Sequence, residues 1–521
     1  MSPQANLRPL PELIPEQEVL YGFVSTVMGP VDHRVWKKQI ERMDEILNQS
    51  GAEKRFQRLS LAQRNEQEEA AAAKETRPFR ALSTAEQLSF QRHCSQALRC
   101  TLVRTLLGED LRGCSLYLTE SAFLQWFCRL DQGEVVRIPG KSALQRYGTW
   151  LPEAEMREVI GTLLGAASGQ AESCPQPLNL SEPLDLESYF LDTTCVKLNI
   201  HYPVDWVLLR DATRTLMKAT MLIRKRGLKV RMEEPEEFLK RMNQLCMKMT
   251  HARRKKDAKR VRKAVLREMK KLSKIVARHA QRHQQLLEQH WQETDLREGE
   301  AQQIIDRIGV VLEQLPEAIR QAHERIIGER PVPSGEKILS LYEEHAGVYV
   351  RGKAGAEVEF GSQLLLGESV SGVIVDWELV GGNPMADTRM LKRSLDRMKA
   401  TATGVAIGAV SGDRGFDSKA NRELLEKGGI YNAICPKAPV ELKQRMKEER
   451  FAQLQRRRSQ TEARIAVFKN GFLGSPLMSK GHANQAVDVA WNVLAHNLWV
   501  IARQPVAKAV APARKALAKA G

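Results

Sequence analysis

Two β-rich stretches of this chain are separated by a long helical stretch, and that interruption constrains the fold more than any other feature. The first β-rich stretch, residues 189–200, reads YFLDTTCVKLNI, an apolar run with several β-branched side chains. From about 205 to 330, apolar residues recur at helical spacing instead. A disordered linker could also fill such a gap, but the periodicity argues against it. The pattern predicts a mixed α/β domain interrupted by a long helical insertion.

Strand-like segments return after residue 335 and alternate with amphipathic helices. Four strands are predicted close together, with glycines near their turns, at residues 336–342, 348–351, 357–366 and 371–379. Two more strands are predicted at residues 404–410 and 433–435. Helices are predicted at residues 385–398, 418–427, 452–470 and 486–503.

Polarity and periodicity divide the 521-residue chain into five parts, in keeping with the several domains that its length suggests. An all-helical N-terminal region precedes the interrupted α/β core, and an Ala/Lys/Pro-rich tail follows it. The predicted parts are a helical or linker segment at 1–80, a helical candidate DNA-binding domain at 81–180, the core at 181–204 and 335–503, a basic helical insertion at 205–334, and a disordered basic tail at 504–521.

Positive charge is concentrated in the insertion. The chain has 80 Lys and Arg against 63 Asp and Glu, a formal net charge of +17, and residues 210–292 alone hold 25 basic and 8 acidic residues. Residues 253–282 mix basic and apolar residues at helical spacing, which predicts an amphipathic basic helix. Such a block favours a polyanionic partner such as DNA, although a solvated helix face that binds nothing would have the same composition. The candidate contacts at its start are Arg253, Arg254, Lys255 and Lys256.

Several classes of protein are disfavoured by the sequence. No apolar run approaches the roughly 20 residues that a membrane helix needs, and the N-terminus lacks a basic stretch followed by an apolar core, so we expect no secretory signal. The eight cysteines form no CxxC pair, which argues against a zinc site. We therefore expect a cytoplasmic protein with reduced thiols and no membrane contact.

A short segment at residues 138–147 (IPGKSALQRY) is a candidate for reading DNA bases. Pro139 and Gly140 interrupt the chain, and Ser142 could cap a helix that carries Arg146, with Lys141 just before it. That arrangement would suit a helix-turn-helix-like reader. An ordinary all-helical domain explains the same residues equally well.

Three acidic residues have local contexts that favour catalysis. Asp192 lies inside a predicted apolar strand, where burying a carboxylate is costly unless it has a partner or a function. Asp413 follows an apolar strand, the place where α/β sheets commonly present functional groups. Glu462 lies on a predicted helix, and helical spacing puts Arg458 and Lys469 on nearly the same face.

Each of these acids also has an ordinary explanation. Asp413 could only begin a turn, and Glu462 with Arg458 could be a surface ion pair on a helix. Asp376, in the apolar segment VIVDW, competes with Asp413 for the second carboxylate position. If the three carboxylates do converge, their hard oxygen ligands could hold two Mg²⁺ ions about 3.5–4 Å apart, an arrangement that promotes in-line phosphoryl transfer.

Several phrases of the chain resemble the bacterial insertion-sequence transposases of the DDE class, which have an RNase H-like core, and within them an ISNCY-like subgroup with a helical insertion. The longest phrase is LDTTCVKLNIHYPVDWVLLRDATRTLMKA at residues 191–219. The others lie at residues 351–360, 412–421, 457–471 and 491–499. Together the matching stretches run from about residue 120 to 503.

The resemblance assigns the metal-binding catalytic acids to Asp192, Asp413 and Glu462. Related transposases carry the signature Tyr-x2-Arg-x3-Glu-x6-Lys around the glutamate. This chain has Arg458, Glu462 and Lys469 at those spacings, but Gln455 stands at the tyrosine position. The resemblance also favours Asp413 over Asp376, because the phrase GDRGFDS contains the former.

The implied function is a DNA transposase with two Mg²⁺ or Mn²⁺ ions that cleaves element ends and joins the freed 3′-OH to target DNA. The implied partners are double-stranded terminal inverted repeats, target DNA and at least one further copy of the chain, in a cytoplasmic, nucleoid-associated setting. We expect Arg458 and Lys469 to contact phosphates near the cleaved bond and the basic helix to follow the DNA backbone. A nuclease of the same fold that does not join strands, and an inactive DNA-binding relative, stay open as alternatives.

Overall fold

A computed structural model describes residues 10–14, 29–131, 135–170, 178–252, 254, 256–353, 356–400, 406–474 and 476–507. Two of the predicted DNA contacts, Arg253 and Lys255, and most of the predicted tail lie outside these residues. The described chain is a mixed α/β structure with a six-stranded sheet.

In the described part of the chain, seven helices precede the first strand. They are α1 Val31–Ser50, α2 Ala52–Lys74, α3 Thr84–Leu107, α4 Leu111–Glu120, α5 Ala122–Phe127, α6 Lys141–Gly148 and α7 Glu153–Ala167. Their starts follow local chemistry: Ser83 and Glu86 form a capping box before α3, and the Asp110 side chain caps α4. Gly51 takes a left-handed conformation (φ 75°) that lets α2 follow α1 directly.

These helices share one hydrophobic core across the predicted division at residue 80. The fully buried Arg99 of α3 binds Asp44 of α1 and Glu53 of α2, at 2.5 and 2.7 Å. Burial raises the pKa of Glu53, but the Arg99 guanidinium more than offsets this and holds that pKa at about 2. The first two helices are therefore tied to the third by buried ion pairs.

Four long helices form the insertion: α8 Asp205–Lys225, α9 Pro235–Ala252, α10 Ala258–His290 and α11 Glu298–Ile326. They enclose a hydrophobic core of their own, as the amphipathic spacing predicted. The predicted strand at 336–342 is wrong, because both backbone polar groups of Ile338 bond to the Gln321 side chain of α11 instead of to a neighbouring strand.

The sheet is built from β1 Ser188–Lys197, β2 Gly347–Lys353, β3 Ala356–Ser369, β4 Ile374–Val380, β5 Ala409–Gly412 and β6 Tyr431–Ile434. Its order is β2-β3-β1-β5-β6, with β4 also paired to β3. Strands β1, β5 and β6 are parallel, whereas β2, β3 and β4 pair antiparallel. This mixed sheet is consistent with the expected RNase H-like core.

Helices cover both faces of the sheet. The remaining elements are α12 Asp387–Ala400, α13 Lys419–Lys427, α14 Pro439–Arg445, α15 Glu449–Val467, a π-helix at Phe468–Leu473, and α16 His482–Ala502. Buried residues of α16, including Trp491, pack with the N-terminal helices into one core, while α12 packs with the other face of β1 through Met390 and Leu391. The sheet therefore lies between two apolar layers.

The helix at 138–147 exists as α6, but Gly140 precedes it and no side chain caps it, so the predicted Ser142 cap is wrong. The seven described cysteines are buried free thiols, as expected. Among the described residues, no helix is both long and apolar enough to cross a membrane.

Candidate active site

Asp192 lies in the middle of β1, and Asp413 directly follows β5, the parallel strand beside it. The pairing of β1 with β5 places Phe190 opposite Ser411. Continuing this register by two residues brings Asp192 level with Asp413. The two carboxylates are therefore close enough for the charge of Asp413 to act on Asp192.

The Asp192 carboxylate is half-buried, and the backbone N–H of Thr193 donates to its Oδ1 at 2.8 Å. Burial raises its pKa to about 6, and the charges of Asp413 and Glu462 push in the same direction while Arg458 opposes them. The charges of Asp413, Glu462 and Arg458 therefore all act on Asp192, so the fold brings these four side chains near one another.

Asp413 also has the turn-forming role that the sequence left open. It precedes a short 3-10 helix at Arg414–Phe416, and its Oδ1 accepts the backbone N–H of Gly415 at 2.8 Å. One carboxylate oxygen is thus used to hold the turn. Within the described part of the chain, the other oxygen has no hydrogen-bond donor, so the capping role leaves it available for a ligand.

Glu462 is exposed on α15, which is fixed to the sheet by its neighbours on the helix. The Thr461 hydroxyl and the Arg457 guanidinium both bond to the buried Glu368 carboxylate of β3, at 2.8 and 2.9 Å. Arg457 also reaches the Ser369 carbonyl at 3.0 Å. These bonds set the position of the helix, from which the charge of Glu462 acts on Asp192.

Gln455, at the position of the family's tyrosine, has a defined place in the structure. Its Nε2 donates to the Ala433 carbonyl of β6 at 2.6 Å, and its Oε1 accepts from Arg458 Nε at 3.2 Å. Gln455 therefore links Arg458 to the sheet, and its side-chain amide is not available for stacking on a base as an aromatic ring would be.

Lys469 lies at the start of the π-helix that follows α15. Helix α15 ends at Val467, and the π-helix begins at Phe468, the residue before Lys469. The Lys469 Nζ donates to Thr194 Oγ1 at 3.0 Å and to the Cys195 carbonyl at 2.6 Å. It is thus attached to β1 directly beyond Asp192.

Asp376, the rival second acid, lies in a separate network. It is 1% exposed and bonds to Arg157, Arg397 and Ser394, at 2.7–3.0 Å. It pairs through Gly367 with Leu191 rather than with Asp192, so its side chain points to the opposite face of the sheet. Asp376 therefore holds α7 and α12 against the sheet and does not contribute to the site.

Asp387 is a fourth acid at the site that the sequence reading missed. It begins α12, accepts a 3.0 Å bond from Thr193 Oγ1, and has its pKa raised by burial and by the charge of Asp413. An aspartate at the start of a helix is normally explained by helix capping. The sequence alone gives no further reason to single it out.

The residue types suit a divalent cation of the hard kind, since carboxylate oxygens are the ligands that Mg²⁺ prefers. Among the described residues, however, no three acidic, histidine or cysteine side chains already stand close enough to enclose one ion. Like-charged carboxylates repel one another without a cation, and the raised pKa of Asp192 reflects its burial first and that repulsion second. The donor set fits such an ion chemically, and the side chains would have to draw inward to bind it.

The predicted DNA contacts lie at two other places. Lys141 and Arg146 are exposed on α6, and Arg254 and Lys256 are exposed in the turn before α10. None of these four lies on β1 or directly after β5, where Asp192 and Asp413 are found.

Comparison with known proteins gives one match. Residues 351–498 match the family model described as "Transposase DDE domain". Neither the search of curated proteins nor that of solved structures yields a match. The matched segment contains Asp413 and Glu462 but begins after Asp192, and it supports the placement of this chain in a DDE transposase family.

Proposed function

We propose that this chain is a DNA transposase that cleaves DNA at the ends of its element and transfers the freed 3′-OH to a target phosphodiester. The observation that carries the proposal is the parallel register of β1 and β5, which brings Asp192 level with Asp413, with Glu462 and Arg458 close enough for their charges to act on Asp192. Three separate elements supply these groups, β1, the end of β5 and α15. The match to the transposase DDE domain supports the same reading.

Asp192, Asp413 and Glu462 would hold two Mg²⁺ or Mn²⁺ ions, which supply activation of the attacking oxygen and stabilisation of the leaving oxygen. Asp192 must be ionised to act as a ligand, so its raised pKa sets a lower pH limit for the reaction. Thr193 orients the carboxylate through its backbone N–H. Asp413 is oriented in the same way by Gly415.

Arg458 and Lys469 would contact DNA phosphates beside the cleaved bond. Arg458 is half-buried and steadied by Gln455, so its guanidinium is partly ordered before DNA binds. Lys469 is fixed to β1 by two hydrogen bonds and would contribute positive charge close to the acids. Both groups would attract the phosphate and offset the charge of the carboxylates.

The basic insertion would bind the DNA backbone through one face of α10. Six of its exposed basic residues follow helical spacing on the side opposite the buried Leu266, Met269 and Val276. They are Arg260, Arg267, Lys271, Lys274, Arg278 and Arg282. At about 1.5 Å per residue this stripe is roughly 33 Å long, close to one turn of duplex DNA.

The stripe is electrostatically available to phosphates. Arg260 pairs with Asp257, but in the described part of the chain no acidic side chain pairs with the other five residues. Partial burial lowers the pKa of the neighbouring Lys270, and Lys274 and Arg267 lower it further, which reflects crowding of positive charge. Neutralising DNA phosphates would relieve that crowding. Arg254 and Lys256, at the start of α10, would extend the same surface.

Base reading would fall to the N-terminal helical body, where α6 presents Lys141 and Arg146 to solvent. The expected ligands are the terminal inverted repeats of the element, with target DNA as a second substrate. Two ends must be processed together, so we expect a dimer or larger assembly on DNA, in the bacterial cytoplasm near the nucleoid. The assignment of base reading to Lys141 and Arg146 rests on their exposure and positive charge.

Detection of joined product tests this proposal against a plain nuclease. The protein is incubated with Mg²⁺, a labelled duplex carrying the DNA that flanks the reading frame, and a supercoiled target plasmid. A transposase gives label covalently joined to plasmid. Cleaved ends without joined product would favour a nuclease of the same fold, and binding without cleavage would favour an inactive relative.

A further inference from the structure

Asp387 contacts the backbone segments that carry Asp192 and Asp413. Its Oδ1 accepts a bond from the Thr193 hydroxyl at 3.0 Å, and the backbone N–H of the same threonine donates to Asp192 Oδ1 at 2.8 Å. Thr193 therefore connects the two carboxylates, with its hydroxyl fixed by one and its amide orienting the other.

The second oxygen of Asp387 faces the turn that holds Asp413. A Cβ atom on Gly415 would lie 2.5 Å from Asp387 Oδ2 and 2.9 Å from Asp413 Oδ1. Only a glycine leaves room for both oxygens there, and the Gly415 N–H in turn donates to Asp413. Asp387 thus packs directly against the backbone that orients Asp413.

Asp387 is itself held in place by the sheet. The buried Gln363 of β3 donates to the Met385 carbonyl at 3.0 Å and accepts the Met385 N–H at 2.7 Å. Its Nε2 also lies 3.4 Å from Asp387 Oδ1. This pair of bonds fixes the start of α12 two residues before Asp387, so the carboxylate has a fixed base from which to act.

We propose that Asp387 is a positioning residue for the candidate active site. It holds the Thr193 hydroxyl so that the Thr193 amide orients Asp192, and it packs against the Gly415 backbone that orients Asp413. This inference rests on the proposed function, because it assigns a role toward the acids of that site. It requires the hydrogen-bonding oxygen of Asp387 and does not require its charge.

Three variants separate this role from others. Asp387→Ala and Thr193→Val remove the two partners of one hydrogen bond, whereas Asp387→Asn keeps an acceptor oxygen and removes the charge. Loss of a group that orients a ligand typically lowers activity about 10- to 100-fold. We expect that loss in Asp387→Ala and Thr193→Val, together with a higher Mg²⁺ concentration at half-maximal cleavage, and near-normal values in Asp387→Asn.

The double variant Asp387→Ala/Thr193→Val should be no worse than either single variant, because both changes remove the same bond. Asp396→Asn is the matched control, since Asp396 is exposed on the same helix and pairs with Lys392. Thermal unfolding of each variant confirms that it folds.

The experiment measures Mg²⁺-dependent cleavage and, separately, the rise in unfolding temperature with Mg²⁺. Rescue in Asp387→Asn with a loss in Asp387→Ala supports the proposal. Equal loss in both, or no loss in Asp387→Ala, overturns it while wild-type cleavage keeps the proposed function intact. A wild-type protein that neither cleaves nor responds to Mg²⁺ would overturn both.

Discussion

The Nζ of Lys469 donates a 2.6 Å hydrogen bond to the carbonyl oxygen of Cys195, three residues beyond Asp192 on the same strand. A second bond, to Thr194 Oγ1, fixes the ammonium group in place. The lysine lies in a π-helix, a rare conformation that is often found at functional sites. One ordered cation thus links the segment after Glu462 to the strand of Asp192.

Replacing Lys469 with methionine removes its charge and both of its hydrogen bonds to β1. We expect Lys469→Met to slow cleavage by up to about 100-fold, because small misplacements of reacting groups cost that much. The loss of charge-assisted bonds should also destabilise the fold by about 1.5–3 kcal/mol. The measurements are single-turnover cleavage and denaturant unfolding. Lys480→Met, at an exposed lysine nearby, is the control. Full activity of Lys469→Met would remove this lysine from the site.

The two strand aspartates should respond oppositely when made neutral. The pKa of Asp192 is raised above its ordinary value of 3.8 to about 6, so its ionised form destabilises the fold at neutral pH. We expect Asp192→Asn to increase the free energy of unfolding by about 1–3 kcal/mol at pH 8 without metal. The Thr193 N–H can still donate to the asparagine oxygen. Unchanged or lower stability would show that the ionised Asp192 carboxylate does not destabilise the fold.

Asp376→Asn should instead destabilise the protein, by up to about 3–5 kcal/mol, because it removes the most buried counter-charge of Arg157 and Arg397 and leaves them only their pairs with Glu153 and Glu378. Folded Asp376→Asn protein should still cleave DNA at low temperature. Chemical unfolding and cleavage per folded molecule are the two measurements. Loss of cleavage with unchanged stability would reverse the roles given to Asp192 and Asp376.

Cleavage should depend on pH through Asp192. Since its pKa is about 6, the carboxylate is largely ionised above pH 7 and protonated below pH 5. At limiting Mg²⁺ the rate should therefore fall as pH drops through about 6, and more Mg²⁺ should move the midpoint lower because metal and proton compete. The same shift predicts that metal-free stability falls as pH rises from about 4 to 6 and then levels off. A cleavage midpoint that is insensitive to Mg²⁺ would contradict this assignment.

Replacing basic residues of α10 with uncharged ones should change the salt dependence of DNA binding. If Lys271 and Arg278 contact phosphates, Lys271→Gln and Arg278→Gln should each reduce the slope of log affinity against log salt by roughly one. Binding to unrelated duplexes should weaken equally, since backbone contacts carry no sequence information. Fluorescence anisotropy over a salt series measures both. Lys240→Gln on α9 is the control, and equal slopes in all variants would remove α10 from the interface.

Asp192 and Asp413 could be found from the sequence because each is marked by the residues next to it in the chain. Asp192 interrupts an apolar strand, Asp413 follows another, and the parallel pairing of those strands brings them level. Helix α10 was equally predictable, because its apolar spacing alone defines its buried face. In each case the pattern that marks the residue also determines its placement.

Features that depend on distant contacts were not predictable. Residues 336–342 have a strand-like composition, but Gln321 takes the backbone bonds of Ile338. Asp387 reaches Thr193 across 194 positions of sequence. A periodicity argument considers neighbours along the chain, and these outcomes are decided by neighbours in space.

Cleavage by three matched variants tests the central claim most directly. Asp192→Asn, Asp413→Asn and Glu462→Gln are compared with wild type on a labelled duplex that carries the DNA flanking the reading frame, with Mg²⁺, while binding is followed in parallel. We predict that each variant loses strand cleavage and keeps nearly the wild-type affinity, because the acids act in chemistry and the basic surfaces act in binding. Full cleavage by Asp192→Asn would contradict the account.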